Sequence, residues 1–326
     1  MDYEILVSVI CLTYNHEKYI KNALESFIAQ KTNFKFEVIV HDDASTDNTP
    51  KIIRDYENNY PEIIKPIYQF ANQHSQGTSI IRKYILPKIR GKYVAICEGD
   101  DFWLSNHKLQ LQVNALEKYT DCLMCSHKTE AIDLQNNHKW YLPLCELATG
   151  VIDTNKVMDA VFGLMHLSSD MFRTDIYKDY YLSEYQYKKM MPTGDKSILL
   201  YFANKGPIYF INEVMSRYNK GVIGSYTSRI ERNQNNNIEK NRKLFEAEVI
   251  FRNELCKDVY KPYLDYHIAG DWLEYKISKE GYRFKISKEE MKYYKLVSKK
   301  RRVLIRVGRF FPGIADFIIR VKYYGK

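Results

Sequence analysis

No run of about eighteen apolar residues, the length a helix needs to cross a bilayer, occurs in the 326-residue chain. The nearest approach, VLIRVGRFFPGIADFIIRV, is broken by arginines, Pro312 and Asp316, so no membrane span is expected. The opening residues MDYEILVSVICL are acidic where a secretory leader is basic, and no leader is expected there. Glycine-rich phosphate cradles are missing too. No G-x-G-x-x-G follows a strand-like run and no G-x-x-x-x-G-K-[ST] occurs, which argues against a dinucleotide oxidoreductase and a P-loop NTPase. Of the six cysteines, Cys11 and Cys97 lie inside apolar runs as small buried hydrophobes. Cys122 and Cys125 form one CxxC with no second pair, too little for a zinc site. The expectation is a reducing, cytoplasmic setting.

A net charge of +9 suggests a nucleic-acid surface until it is located. Nine basic residues against one acid between Lys299 and Lys326 account for +8 of it, so the body of the chain is nearly neutral and no nucleic-acid partner is expected. With 45% apolar and 14% aromatic residues, the chain can bury a large core.

The first hundred residues alternate apolar runs with helical periodicity. ILVSVICL is a strand; Ile20, Leu24, Phe27 and Ile28 share a helical face; FEVIVH is a second strand. Thr49-Pro50 opens a helix that ends by Pro61, IIKPIYQF is a third strand, SIIRKYILPKI a helix and KYVAIC a fourth strand. Strands apolar on nearly every residue belong to a parallel sheet covered on both faces, and βαβαβαβ order makes an α/β, Rossmann-like, mostly parallel sheet. Beyond it, HKLQLQVNALEKY reads as a helix, CLMCSH and LMHLSSDMF (164–172) as strands, the segment after Gly194-Asp195 as a helix and IYFI as a strand. A boundary falls near 230. From about Asn233 onward the pattern is helical, with RNQNNNIEKN as a polar hinge before Leu244, Ala247, Phe251 and Leu255 and a basic, amphipathic tail at 299–326.

In such sheets ligands collect beyond the carboxyl ends of the strands. TYN (13–15), DDAS (42–45) and EGDDFW (98–103) all fall there. Three acids a few residues apart, Glu98, Asp100 and Asp101, repel one another unless a cation or a donor-rich ligand sits among them.

With TYN, DDAS, EGDDFW and TGDKSILL in this order, the chain over about residues 5–220 resembles the inverting nucleotide-sugar glycosyltransferases of family 2, GT-A fold, that build bacterial surface polysaccharides. The resemblance implies 1–230 as catalytic domain, with 1–105 for the nucleotide sugar and 106–230 for the acceptor. It implies donor contacts at Thr13, Tyr14, Asp42, Asp43 and Asp100: Tyr14 stacks on the base, Asp43 accepts a hydrogen bond from it and Asp100 meets the ribose. Asp101 would hold a divalent ion, Mn²⁺ or Mg²⁺, on the diphosphate, and Asp195 would be the base that activates the acceptor hydroxyl. The implied partners are a nucleotide sugar, UDP-linked, and a glycan or lipid-linked acceptor; separately, the cationic, aromatic-rich segment 299–326 reads as a surface for an anionic membrane at the inner face of the plasma membrane.

Each of these residues also has a plainer use. Asp42 and Asp43 can cap a loop, Asp100 and Asp101 can form a solvated acidic turn, Asp195 can be a helix N-cap, and the tail can dock on its own protein. One departure stands out. Many members of the family it resembles carry Tyr-Arg-x-His after the strand that follows the base, whereas MSRYNKG keeps Tyr218 and has Asn219 and Gly221 in place of Arg and His. His166 is a candidate replacement or a packed residue. A sugar nucleotidyltransferase and a non-catalytic scaffold of a polysaccharide assembly complex remain as alternative functions.

Overall fold

The computed structural model describes residues 4–222 and 234–315. Two compact units emerge: Met1–Glu184 with Asp195–Ser228, and Tyr185–Gly194 with Arg229–Lys326. The expected boundary near 230 and the tail residues 316–326 lie outside the described residues.

The first unit is built on one ten-stranded sheet. Its opening half runs β1 (Val7–Thr13), α1 (Ile20–Ile28), β2 (Phe36–Asp42), α2 (Thr49–Asn59), β3 (Ile64–Tyr68) and β4 (Tyr93–Ile96), with β3, β2, β1 and β4 adjacent and parallel. Val7, Val9 and Cys11 on one face of β1 and Ile10 on the other are all fully buried, so both sheet faces are covered. In α1 the buried residues Ile20, Ala23, Leu24 and Phe27 recur at helical spacing and join the core under β1, β2 and β4. The helix expected at 79–89 is instead a π turn, Ile81–Ile85, running into a 3₁₀ turn, Leu86–Lys88; Pro87 has no N–H to continue an α-helical ladder.

The second half is mixed rather than parallel. Along the chain follow β5 (Phe102–Trp103), α3 (Lys108–Lys118), β6 (Met124–Asp133), β7 (His138–Leu142), β8 (Gly150–Val151), α4 (Thr154–Phe162), β9 (Met171–Arg173), α5 (Thr174–Leu182), then α6 (Gln186–Met190), which is not part of this unit, and finally α7 (Gly194–Lys205) and β10 (Ile208–Lys220). Strand β9 is wedged antiparallel between β4 and β6, and β10 runs parallel to β6 while pairing antiparallel with β5. The strand expected over 164–172 shrinks to β9. Residues 167–169 form a 3₁₀ turn, where the hydroxyls of Ser168 and Ser169 bond to His166 instead of extending the ladder.

Helix α6 belongs to the second unit, with α8 (Gln234–Glu254), α9 (Lys261–Glu280), α10 (Met291–Leu296) and α11 (Lys299–Phe310). Its core joins Ala269, Trp272 and Leu273 to Phe284, Val297 and Ile305. The helical pattern expected from about Asn233 is observed from Gln234 onward, with Arg242 paired to Glu239 and Glu246 one turn either side. On α11, Ile305 is buried and Gly308 lies against the Tyr282 ring so closely that a Cβ would sit 2.3 Å from it. That basic helix therefore docks on its own unit, while Val303 and Phe310 on it, and Phe311 and Ile314 beyond it, stay exposed.

Candidate active site

Strand register sets the site. Thr13 on β1 pairs with Asp42 on β2, and the ladder from β4 continues past its end, with Gly99 N–H donating to Leu12 O at 2.9 Å. The carboxyl ends of three parallel strands thus stop at one level and bring TYN, DDAS and EGDD together. Gly99 makes this approach possible: a Cβ there would lie 2.7 Å from Thr13 Oγ1 and 3.0 Å from His16 Nδ1.

The first two loops are stitched together. Asn15 N–H donates to Ser45 Oγ and Asn15 Oδ1 accepts from Thr46 N–H, both at 2.8 Å; His16 N–H donates to Thr49 Oγ1, and Glu17 N–H to Asp47 Oδ2. Asn15 and Ala44 both hold positive φ, 56° and 62°, the second uncommon for a residue with a Cβ. Tyr14 is left 43% exposed, its ring free to receive a flat ligand. The buried Asp43 carboxylate accepts from the N–H groups of Gln73 and His74 at 2.8 and 3.0 Å, which fixes the loop after β3. Asp42 Oδ2 accepts from Ser45 N–H, while its buried Oδ1 has no partner, and burial raises its carboxyl above the usual range.

The acidic turn is anchored by the tryptophan that follows it. Trp103 packs edge-on against Phe27 of α1, its backbone N–H donates to Ser26 Oγ, and its indole N–H donates to Ser168 O at 3.0 Å. Burying two such rings contributes on the order of 2 kcal/mol each, enough to hold a turn of like charges in place. Pairing of β5 with β10 brings Asn219 alongside. Its N–H donates to Asp101 Oδ1 at 2.9 Å and its side-chain amide donates to Asp100 O at 2.6 Å. Asp101 is 2% exposed. Burial, then the Asp100 charge, pushes its carboxyl well above the ordinary range, and Asp195 adds to the effect. Asp100 is raised by burial and lowered in part by His16, whose Nε2 lies 3.7 Å away. On the other side, His166 Nε2 lies 3.8 Å from Asp101 Oδ2. Asp195 stands exposed in the first turn of α7, close enough for its charge to act on Glu98, Asp101 and Asp170.

A divalent cation fits this donor set. Carboxylates buried together, with their protons held too tightly for ordinary acids, gain from a positive charge among them. Among the described residues no three His, Cys, Asp or Glu side chains form a metal cage. Asp101 would therefore hold the ion with few other protein side chains, and diphosphate oxygens and water would complete its shell, the usual arrangement for Mg²⁺ and related ions.

The geometry brings Thr13, Asp42, Asp100 and Asp101 to one level, with Tyr14 and Asp43 beside them and Asp195 within electrostatic reach. Sequence reasoning overlooked His16, although it sits inside TYNHEKY, and treated Asn219 only as a departure. Its role depends on β5 pairing with β10, which no local pattern announces.

A parallel βαβ half with acids at its strand ends, joined to a mixed half that carries a further acid at a helix start, is the GT-A class of nucleotide-diphospho-sugar transferase fold. The sequence profile of glycosyl transferase family 2 matches residues 8–177, and the chain belongs to that family. An uncharacterized protein of Mycobacterium tuberculosis is 42% identical over 126 residues, 39% of this chain and 36% of that one. The Escherichia coli UDP-Glc:alpha-D-GlcNAc-diphosphoundecaprenol beta-1,3-glucosyltransferase WfgD is 29% identical over 115 residues, 35% of this chain and 42% of that one. The chain thus spans well under two thirds of the length of these curated relatives. Among solved structures, S. aureus TarS 1-349 in complex with UDP-GlcNAc superposes with a TM-score of 0.65, covering 94% of this chain and 87% of that one at 20% identity.

Proposed function

We propose that the protein transfers a sugar from a nucleotide sugar, UDP-linked, to a hydroxyl of a glycan or lipid-linked acceptor, with inversion, in the synthesis of a surface polysaccharide. The observation that carries this reading is the convergence of Tyr14, Asp42, Asp43, Asp100 and Asp101 at the carboxyl ends of β1, β2 and β4 in a chain of glycosyl transferase family 2. The TarS complex and the WfgD activity support a UDP-linked donor, and WfgD supports a lipid-linked acceptor.

In this reading Tyr14 stacks on the uracil. Asp43, already fixed by Gln73 and His74, keeps a lone pair on each oxygen for the base, with Asp42 and Thr13 beside it. Asp100 takes the ribose hydroxyls. Asp101 would hold Mn²⁺ or Mg²⁺, which neutralises charge on the departing diphosphate. Asp195 accepts the proton of the acceptor hydroxyl as its oxygen attacks the anomeric carbon from the face opposite the diphosphate, so one carboxylate suffices for inversion. The half from 106 to 230 supplies the acceptor's surroundings. The test is release of UDP from UDP-sugars in the presence of Mn²⁺. Asp101→Ala abolishes it and Asp195→Ala lowers it by about 10²–10⁴-fold; full activity in both variants refutes the assignment.

A further inference from the structure

The histidine that the family resemblance implies after β10 has no counterpart here, and the fold shows why position 221 could not carry one usefully. Gly221 has φ +88°, and a Cβ on it would face Gln135 and Asp133 rather than the acidic turn. The Tyr218 that precedes it is kept, and its ring is stacked at 4.3 Å against a different histidine, His166, which arrives from the turn ahead of β9.

That imidazole is oriented along its other edge. His166 Nδ1 lies 2.8 Å from Ser168 Oγ, which donates to Ser216 Oγ at 3.1 Å, itself 2.9 Å from Thr129 Oγ1. Nδ1 also accepts from Ser168 N–H at 3.3 Å, so in the ion-free protein the neutral ring carries its proton on Nε2; for Nε2 to ligate, that proton must leave and Nδ1 must carry one instead, which Ser168 Oγ, donating onward to Ser216, has a lone pair to receive. Histidines that ligate metals are oriented in this way, through a hydrogen bond on the nitrogen away from the ion. Nε2 points at Asp101 Oδ2 across 3.8 Å, too far for a hydrogen bond. Two donors that each bond an ion at about 2.1 Å can stand no more than about 4.2 Å apart, so the gap is short enough for one cation to join them. The other oxygen of Asp101 is already committed to Asn219 N–H.

We propose that His166, through Nε2, is the second protein ligand of the divalent ion held by Asp101, a histidine supplied from the turn before β9 in place of one after β10. The inference rests on the metal-dependent transferase reading above. A ring nitrogen also tilts an otherwise all-oxygen site away from Mg²⁺ and toward Mn²⁺.

The test is pulsed EPR of Mn²⁺ bound to the full chain with UDP. Nitrogen-14 modulation absent from Mn²⁺-UDP alone is expected in the native protein, is lost in His166→Gln and is kept in His16→Gln. Titration calorimetry with UDP present should show Mn²⁺ affinity falling about 10–100-fold in His166→Gln, and by a smaller factor in Ser168→Ala, which keeps the nitrogen signal. A native protein that binds Mn²⁺ without nitrogen modulation overturns the inference, as does a signal that survives in His166→Gln. If Asp101→Asn loses Mn²⁺ while His166→Gln binds it as before, the inference fails and the transferase reading stands. A native protein that takes up no Mn²⁺ even with UDP refutes both.

Discussion

Gly99→Ala tests whether the close approach of β1 and the acidic turn is what builds the site. The new Cβ would sit 2.7 Å from Thr13 Oγ1 and 2.8 Å from Thr13 Cβ, against an ordinary contact of at least 3.4 Å. Rotating the Thr13 side chain moves Oγ1 but not Cβ, so the end of β1 and the turn must separate by about half an ångström. Overpacking of this kind costs about 1–3 kcal/mol. The same displacement carries Tyr14 and His16 away from Asp100 and Asp101, and misplacement on that scale is worth about one to two decades in rate. The expected outcome is a lower urea midpoint equivalent to 1–3 kcal/mol, together with a kcat/KM for the UDP-sugar down about 10–100-fold. Thr13→Ala, by removing the nearer atom, should restore part of the stability. Gly313→Ala, whose Cβ would meet nothing within 4 Å, should change neither quantity. A Gly99→Ala protein with native stability and native kcat/KM would refute the reasoning.

Three other perturbations separate the remaining roles. Tyr14→Ala removes an exposed ring, so the ligand-free melting temperature should hold while UDP affinity falls about 5–150-fold, the worth of one base stack at about 1–3 kcal/mol; unchanged calorimetric affinity excludes the stack. Lys108 of α3 is fully buried with its Nζ unpartnered 4.1 Å from the Trp103 ring centre, and burial lowers it from 10.5 to about 7. Between those pH values the unfolded chain binds a proton that the folded chain refuses, so stability rises with pH by up to about 1.4 kcal/mol per unit, and below 7 the slope vanishes. Lys108→Met should abolish that slope and stabilise the protein by about 1–3 kcal/mol at pH 7 after the lost ring contact is counted; urea midpoints at pH 7 and 9.5 that show a destabilised variant contradict this. For the basic helix, Lys299→Gln, Lys300→Gln and Arg306→Gln together remove three exposed charges worth about 1 kcal/mol each at an anionic surface. If the tail meets an anionic membrane as its sequence leads one to expect, flotation with phosphatidylserine vesicles should fall by about two decades, and equal flotation would end that expectation.

What the sequence disclosed and what it hid follow one physical division. Strands β1, β2 and β4 are apolar on both faces because helices cover both, so they stand out from the residues alone, as do the polar clusters where they end. Strands β5 and β8 are two residues long and β7 is largely exposed, so neither length nor alternation marks them. The helical pattern from about Asn233 is legible because Ala247 and Phe251 recur at helical spacing, and both are fully buried in α8, which begins at Gln234 within the polar hinge. The turn at 167–169, by contrast, is hidden: LSSD looks like a strand end, yet Ser168, Ser169 and Asp170 are buried, and Ser168 and Ser169 bond to partners on β6, β10 and the turn itself. A polar group satisfied from a distant strand leaves no trace in its neighbours along the chain. His166 is the consequence that matters for function. Its sequence context is that of a packed residue, and it faces Asp101 only because β9 reverses between β4 and β6 while β10 carries Ser216 and Tyr218 to its far edge. Motifs at the ends of covered parallel strands are therefore readable one by one, whereas a ligand delivered by an antiparallel insertion becomes visible only when the register of three strands is known.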